Sequence, residues 1–183
     1  METITTYMIH WFGPFTCIED VTKWEKENSD RKCNLYILEG QKKYARFNRH
    51  YYCGQTTQGV YKRLNNIGHH IEEFRCVEEI WLGCFRNVDA KKADINIVEK
   101  LTTAYLSDEV GTQKMLNEIN MSFPKSQICV INRWFKPEKL LWSRFKEYSP
   151  SRIISEVILH YYNDNLHMIY GTDKLKCLKK IED

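Results

Sequence analysis

The chain has 183 residues, a 43% hydrophobic share and a formal net charge of +3. Its length suits a single domain with a substantial core, and the composition excludes a disordered or fibrous protein. The charge is too small to argue nucleic-acid binding by itself, and no apolar stretch is long enough to span a membrane.

Thr6 to Phe12 predicts a strand, stopped by Gly13-Pro14. Thr16 to Asn28 predicts a short helix with Ile18, Val21 and Trp24 three residues apart. A chemical core begins near Cys33. Asn34 to Glu39 and Tyr51 to Thr56 read as strands that pair as a hairpin across a polar, basic connection from Gln41 to Arg49. Thr57 is a cap for a helix through Tyr61 and Leu64, ended by Gly68. Val77 to Phe85 is a third strand. Asp94 caps a helix from Ile95 to about Leu106, with Ile95, Val98, Leu101 and Tyr105 on its apolar stripe and Glu99 at the border.

Thr112 to Ile119 reads as another helical turn or two, and Gln127 to Trp134 as a strand. Ser149-Pro150 opens a helix running to Tyr162. Leu166 to Tyr170 and Leu175 to Lys180 form a final hairpin. The aromatic group Trp134, Phe135, Trp142, Phe145 and Tyr148 reads as packing for the C-terminal extension. Residues 1–183 read as one α+β domain, with a core over 33–134 and extensions over 1–32 and 135–183.

The seven cysteines are odd in number and lack C-x-x-C spacing. They read as reduced residues of a cytoplasmic protein, not a disulfide framework or a zinc site. Met1 to Phe15 lacks a basic segment followed by an apolar run, so no secretory signal is expected. Basic residues recur at Lys42-Lys43, Arg46, Arg49, Lys62-Arg63 and Lys91-Lys92, and in the tail at Lys174, Lys176 and Lys179-Lys180. They read either as a solvated face or as a track for a phosphate backbone.

One ordered set of residues carries chemistry: Tyr36, then Tyr52-Cys53-Gly54-Gln55-Thr56, then Arg63, then Glu99. Phosphodiester hydrolysis needs an activated water, charge neutralisation at phosphorus and a stabilised leaving oxygen. A hard divalent cation such as Mg²⁺ supplies the last two and needs as few as one protein carboxylate, for which Glu99 is the candidate. Arg63 offers a permanently charged phosphate donor set. Tyrosine is an unusual base, with an ordinary pKa of about 10; a nearby cation such as Arg63 or the metal is expected to lower it.

This set resembles the GIY-YIG nuclease family. The two naming tripeptides correspond to Asn34-Leu35-Tyr36 and Tyr52-Cys53-Gly54, and Gln55-Thr56 continues the second motif. Asn34 stands for the usual glycine and Cys53 for the usual isoleucine. Many members carry a histidine four residues after the arginine, where this chain has Ile67; His69 and His70 are accessory candidates in its place. Asn117 is the candidate for the closing asparagine. The resemblance covers roughly Cys33 to Asn117. It implies a small three-stranded antiparallel sheet flanked by helices; it says little of the N- and C-terminal extensions, which in the nuclease reading would select the substrate. It also implies cleavage of double-stranded DNA with Mg²⁺ or Mn²⁺ held by Glu99. Tyr36 is then the water-activating group, Tyr52 orients it and Arg63 grips the phosphate.

Three readings stay open. The first is a restriction or defence endonuclease, for which a palindromic target implies a homodimer. The second is a structure-specific repair or recombination nuclease. The third is a non-catalytic nucleic-acid-binding protein on a nuclease scaffold. Taken singly, each residue has a plainer reading: strand tyrosines, a surface arginine, a solvated glutamate, a loop histidine pair, a helix-surface asparagine.

Overall fold

The computed structural model describes residues 3–45, 49–137, 142–143, 154–161 and 167–170. In chain order the elements are β1 (Thr5–Phe15), α1 (Ile18–Glu27), β2 (Cys33–Lys42), β3 (Arg49–Gln55), α2 (Val60–Leu64), β4 (Phe74–Phe85), α3 (Lys92–Val110), β5 (Ile128–Phe135), β6 (Trp142–Ser143), β7 (Val157–His160) and β8 (His167–Tyr170). Single 3₁₀ turns cover His70–Glu73 and Thr112–Lys114.

The strands form one sheet in the order β3-β2-β4-β1-β5-β7-β8, with β6 against β5. β1 and β5 run parallel; the other pairs are antiparallel. This corrects the expectation of a small three-stranded antiparallel sheet. β3, β2 and β4 are antiparallel neighbours, but β4 continues into β1 and from there across to β5. The reason lies in β1, whose Tyr7, Ile9 and Trp11 are buried on one face while Phe12 and Phe15 join the core of the other. A strand apolar on both faces is stable only with both faces covered. Here it also has a partner strand on each edge, so the N-terminal segment is a central strand of the sheet.

α3 packs on one face, where Ile95, Val98, Leu101 and Tyr105 bury against Leu35, Ile37, Tyr51 and Cys53. α1 and α2 cover the other face, where Val21, Trp24, Val60 and Leu64 join Tyr36, Leu38, Tyr52 and Phe12. Trp11 stacks on Trp134 at 5.6 Å, and Trp81 meets Trp134 edge-on at 4.9 Å. Trp11 Nε1 donates to Asn132 Oδ1 at 2.8 Å, and Asn132 Nδ2 donates to the Ser155 carbonyl at 3.0 Å. These bonds tie β1, β5 and the segment before β7 into one core.

Other expectations change. β1 does not stop at Gly13-Pro14; it continues to Phe15 through an irregularity in its pairing with β4. A β-carbon at Gly13 would meet the Ile80 carbonyl and the Trp81 ring, so glycine lets the strand pass. The helix expected over Ser149–Tyr162 is replaced, within the described residues, by β7. Val157 and Ile158 are β-branched, and Ile158 and His160 alternate inward. The expected turns over Thr112–Ile119 reduce to one 3₁₀ turn. Cys33 and Cys84 face each other across β2 and β4 with their sulfurs adjacent. Arg46, Phe145, Tyr148, Ser149-Pro150, Lys174, Lys176, Lys179-Lys180 and the expected strand Leu175–Lys180 lie outside the described residues. Among the described residues no helix is long and apolar enough to cross a membrane.

Candidate functional site

β2 pairs with β3 so that Tyr36 lies opposite Gly54 and Leu38 opposite Tyr52. Residues two apart on a strand share a face, so both phenols point toward α1 and α2, with ring centroids 6.0 Å apart. Gly54 has a specific role in this geometry. A β-carbon there would collide with the Tyr36 phenol ring, so the ring occupies space that only glycine leaves open.

His69 reaches the phenols from the loop after α2. Its Nδ1 accepts the Ile71 N–H at 3.0 Å, and its Nε2 lies 2.7 Å from the Tyr36 hydroxyl. An Nδ1 that accepts carries no proton. The neutral ring is therefore the Nε2–H tautomer, and it donates to the Tyr36 oxygen. Burial, then the positive charge of Arg63, pulls the His69 pKa down to about 4, which keeps the ring neutral. His70 packs against Tyr52 at 4.7 Å, and its Nδ1 lies 2.5 Å from Glu73 Oε1.

Arg63 sits on α2, half-buried, and interacts with the phenols of both Tyr36 and Tyr52. α2 has only five residues and no side-chain cap of its own; Thr57 does not serve, and the residue before the helix is Gly59. Glu25 of α1 fills that role. Its Oε1 accepts the Val60 N–H at 3.0 Å and its Oε2 accepts the Tyr61 N–H at 2.6 Å. Two orphan donors at a helix start are thus satisfied by a carboxylate from a neighbouring helix, and the turn that carries Arg63 is fixed.

Arg63 was expected to lower the tyrosine pKa values. It acts in that direction, but burial outweighs it, and both phenols titrate above the ordinary value. Tyr36 is fully buried and Tyr52 is 8% exposed, so Tyr52 is the phenol nearer to solvent.

Glu99 lies in the other layer, on α3, facing β3 beside Cys53 and Thr103. Tyr52 nevertheless feels its charge, because β3 is the sheet edge and only one strand separates them. Glu99 is 5% exposed. It accepts a bond from Asn120 Nδ2 at 2.7 Å, and burial raises its pKa to about 7. Among the described residues no Lys, Arg or His forms an ion pair with it. A buried carboxylate without a cationic partner is unfavourable, and Glu99 relieves this by holding its proton to about pH 7. Among the described residues no cluster of three or more His, Cys, Asp or Glu could hold a metal. Glu99 would then be the one protein anchor, with the other positions left to water or phosphate oxygens.

Asn117 has a structural task. Its Oδ1 accepts the Cys53 N–H at 3.0 Å and its Nδ2 donates to the Cys53 carbonyl at 2.7 Å. Together with the Leu116 N–H bond to the Tyr51 carbonyl at 2.8 Å, it completes the open edge of β3 beside Tyr52.

The fold therefore gathers Tyr36, Tyr52, Arg63, His69 and His70 on one face. It sets Glu99 across the edge strand and uses Asn117 to brace that strand. The sequence reading missed Glu25 and Asn120, since each acts through a contact between segments distant in the chain. Comparison with known proteins gives no match: no family model, no curated protein and no solved structure matches the chain.

Proposed function

We propose that the chain is a GIY-YIG-like, metal-dependent endonuclease that hydrolyses phosphodiester bonds in double-stranded DNA. One observation carries this reading: Tyr36, Tyr52, His69 and Arg63 arrive from separate elements and meet on one sheet face. Arg63 supplies fixed positive charge for the scissile phosphate. Tyr52, nearer to solvent and between the fields of Arg63 and Glu99, takes the position beside the attacking water. Tyr36 and His69 hold the Tyr52 hydroxyl: the His69 N–H occupies the Tyr36 oxygen and leaves the Tyr36 O–H free to donate. These roles exchange those expected for the two tyrosines, because Tyr36 has no exposed surface. Glu99 would hold Mg²⁺ or Mn²⁺ from the layer across β3, so a phosphate whose charge that ion neutralised would have to reach it around this edge strand.

The test is incubation of purified protein with supercoiled plasmid and either ion, followed by sequencing of the ends. Defined ends, lost in Glu99→Ala with DNA binding retained, support the reading; an intact plasmid with both ions overturns it. A parallel assay on branched duplexes separates a restriction-type enzyme from a repair or recombination nuclease.

A second reading, a DNA-binding protein without cleavage, is favoured by the complete burial of Tyr36 and the placement of Glu99 in the opposite layer. It requires duplex affinity with no cut in the same assay.

A further inference from the structure

A second concentration of positive charge lies on the phenol-bearing face, over β4, β1 and β5. His10 of β1 pairs with Cys84 of β4 on one side and with Arg133 of β5 on the other. It lies two residues from Phe12, and Phe12 and Cys84 belong to the core cluster that holds Tyr36 and Tyr52. Arg86 follows just past β4, with its N–H bonded to the Met8 carbonyl at 3.0 Å. Arg31, from the loop between α1 and β2, lays its guanidinium over the Phe12 ring at 5.1 Å. The positive charges of Arg86, Arg133 and Arg31 all act on the His10 ring.

A cavity of about 430 Å³ opens beside this group, lined among others by Arg31, Lys32, Arg86, Lys92, Asp30 and Asp89. Four cations against two carboxylates leave a positive surplus. Among the described residues neither Arg31 nor Arg86 forms an ion pair, and Arg31 Nε is buried without a hydrogen-bond partner. Cations held together repel one another, and a buried donor without an acceptor is unfavourable. An anion placed among them removes both penalties.

The form of the site favours a chain of anions over a single one. Arg31, Lys32 and Thr57 also line a second groove of about 490 Å³, which runs on to Gly59 and Tyr61 at the start of α2. α2 carries Arg63. The two grooves therefore join Arg86, Arg31 and Lys32 to the start of the helix that carries Arg63, where the carboxylate of Glu25 also lines the groove.

We infer that the groove where Arg31 and Arg86 stand over Phe12 and His10 is a second phosphate subsite, which seats the sugar-phosphate backbone of the DNA outside the phenol cluster. The inference deepens the nuclease reading and rests on it for the identity of the polynucleotide. Each backbone phosphate that a protein cation neutralises releases counterions, so its loss is read in the salt dependence of binding.

The experiment follows fluorescence anisotropy of a labelled duplex over a salt series, in EDTA so that no cleavage intervenes. Arg86→Gln should weaken binding and reduce the slope of log K against log salt by about 1; Arg31→Gln with Arg86→Gln should reduce it by about 2. Arg86→Lys keeps the charge and should keep the slope. Arg86 is exposed, and equal thermal midpoints for the Gln and Lys variants exclude a folding defect. An unchanged slope in Arg86→Gln overturns the inference, as does absence of duplex binding by the parent chain. Phosphorus NMR with inorganic phosphate separates the two sources of the anion. Phosphate binding that Arg86→Gln abolishes while duplex binding is untouched marks a free-anion site and also overturns it. A parent chain that binds with the expected slopes but never cuts retains this subsite and loses the nuclease reading. One that cuts while Arg86→Gln keeps its slope loses only the subsite.

Discussion

Two titrating side chains bracket the phenol cluster, and they respond to pH in opposite senses. The native state keeps the Glu99 proton to about pH 7, whereas the carboxyl group ordinarily releases it at 4.5. Between these values the native state binds more protons, so stability falls as pH rises through that window. Glu99→Gln should remove this fall, and thermal midpoints measured on either side of the window check it. Mg²⁺ should raise the midpoint of the parent chain above pH 7 and leave Glu99→Gln unmoved, since only a ligand that binds the native state stabilises it. His69 behaves in reverse. Its folded pKa of about 4 lies below the ordinary 6.5, so acidification through that interval protonates the unfolded chain first and destabilises the fold. His69 was legible only as one of a pair. The position four after Arg63 is a helical neighbour only if the helix continues, but α2 ends at Leu64 and Ile67 is fully exposed. The histidine arrives through the turn at Gly68, and no helical spacing encodes that.

At the scale of elements, α2 is too short to be stable alone and depends on α1. Glu25→Ala should cost about 1 kcal/mol, the usual loss for a helix cap, and should lower plasmid cleavage by loosening Arg63. Denaturant titration and the nicking rate read the two effects separately. Gly54→Ala forces the β2–β3 hairpin away from the Tyr36 ring, with a loss of about 1–3 kcal/mol as for other overpacked sites; urea unfolding measures it. The hairpin itself was legible, because two apolar runs flank a polar connection. The end of the chain was not. Ile154, Val157, Ile158 and Tyr161 fit a helical stripe, yet strand pairing with β5 and β8 overrides that spacing.

For the whole molecule, the boundary drawn at Cys33 follows the motif and misses the architecture. Thr5 to Phe12 pair with Ile128 to Phe135, a contact between the two ends of the described core. No local pattern announces such a pairing, although the two-sided burial of β1 was present in its aromatic composition. A fragment of residues 33–134 should therefore fail to unfold cooperatively, because it lacks the strand between β4 and β5. Circular dichroism on heating checks this, and a sharp transition would show that the core stands alone. The same measurement on a chain lacking residues 1–15 should give the same loss.

The parallel seat of β1 also sets an order of events during synthesis. Tyr7, Ile9 and Trp11 leave the ribosome before their partner strand, which follows only after β2, β3, β4 and α3 have been made. Until then a greasy ribbon has one flank with nothing to hold. Such distant closure is slow and leaves nascent chains prone to clumping, so the yield of folded material should depend on how well the cell shelters that ribbon while it waits.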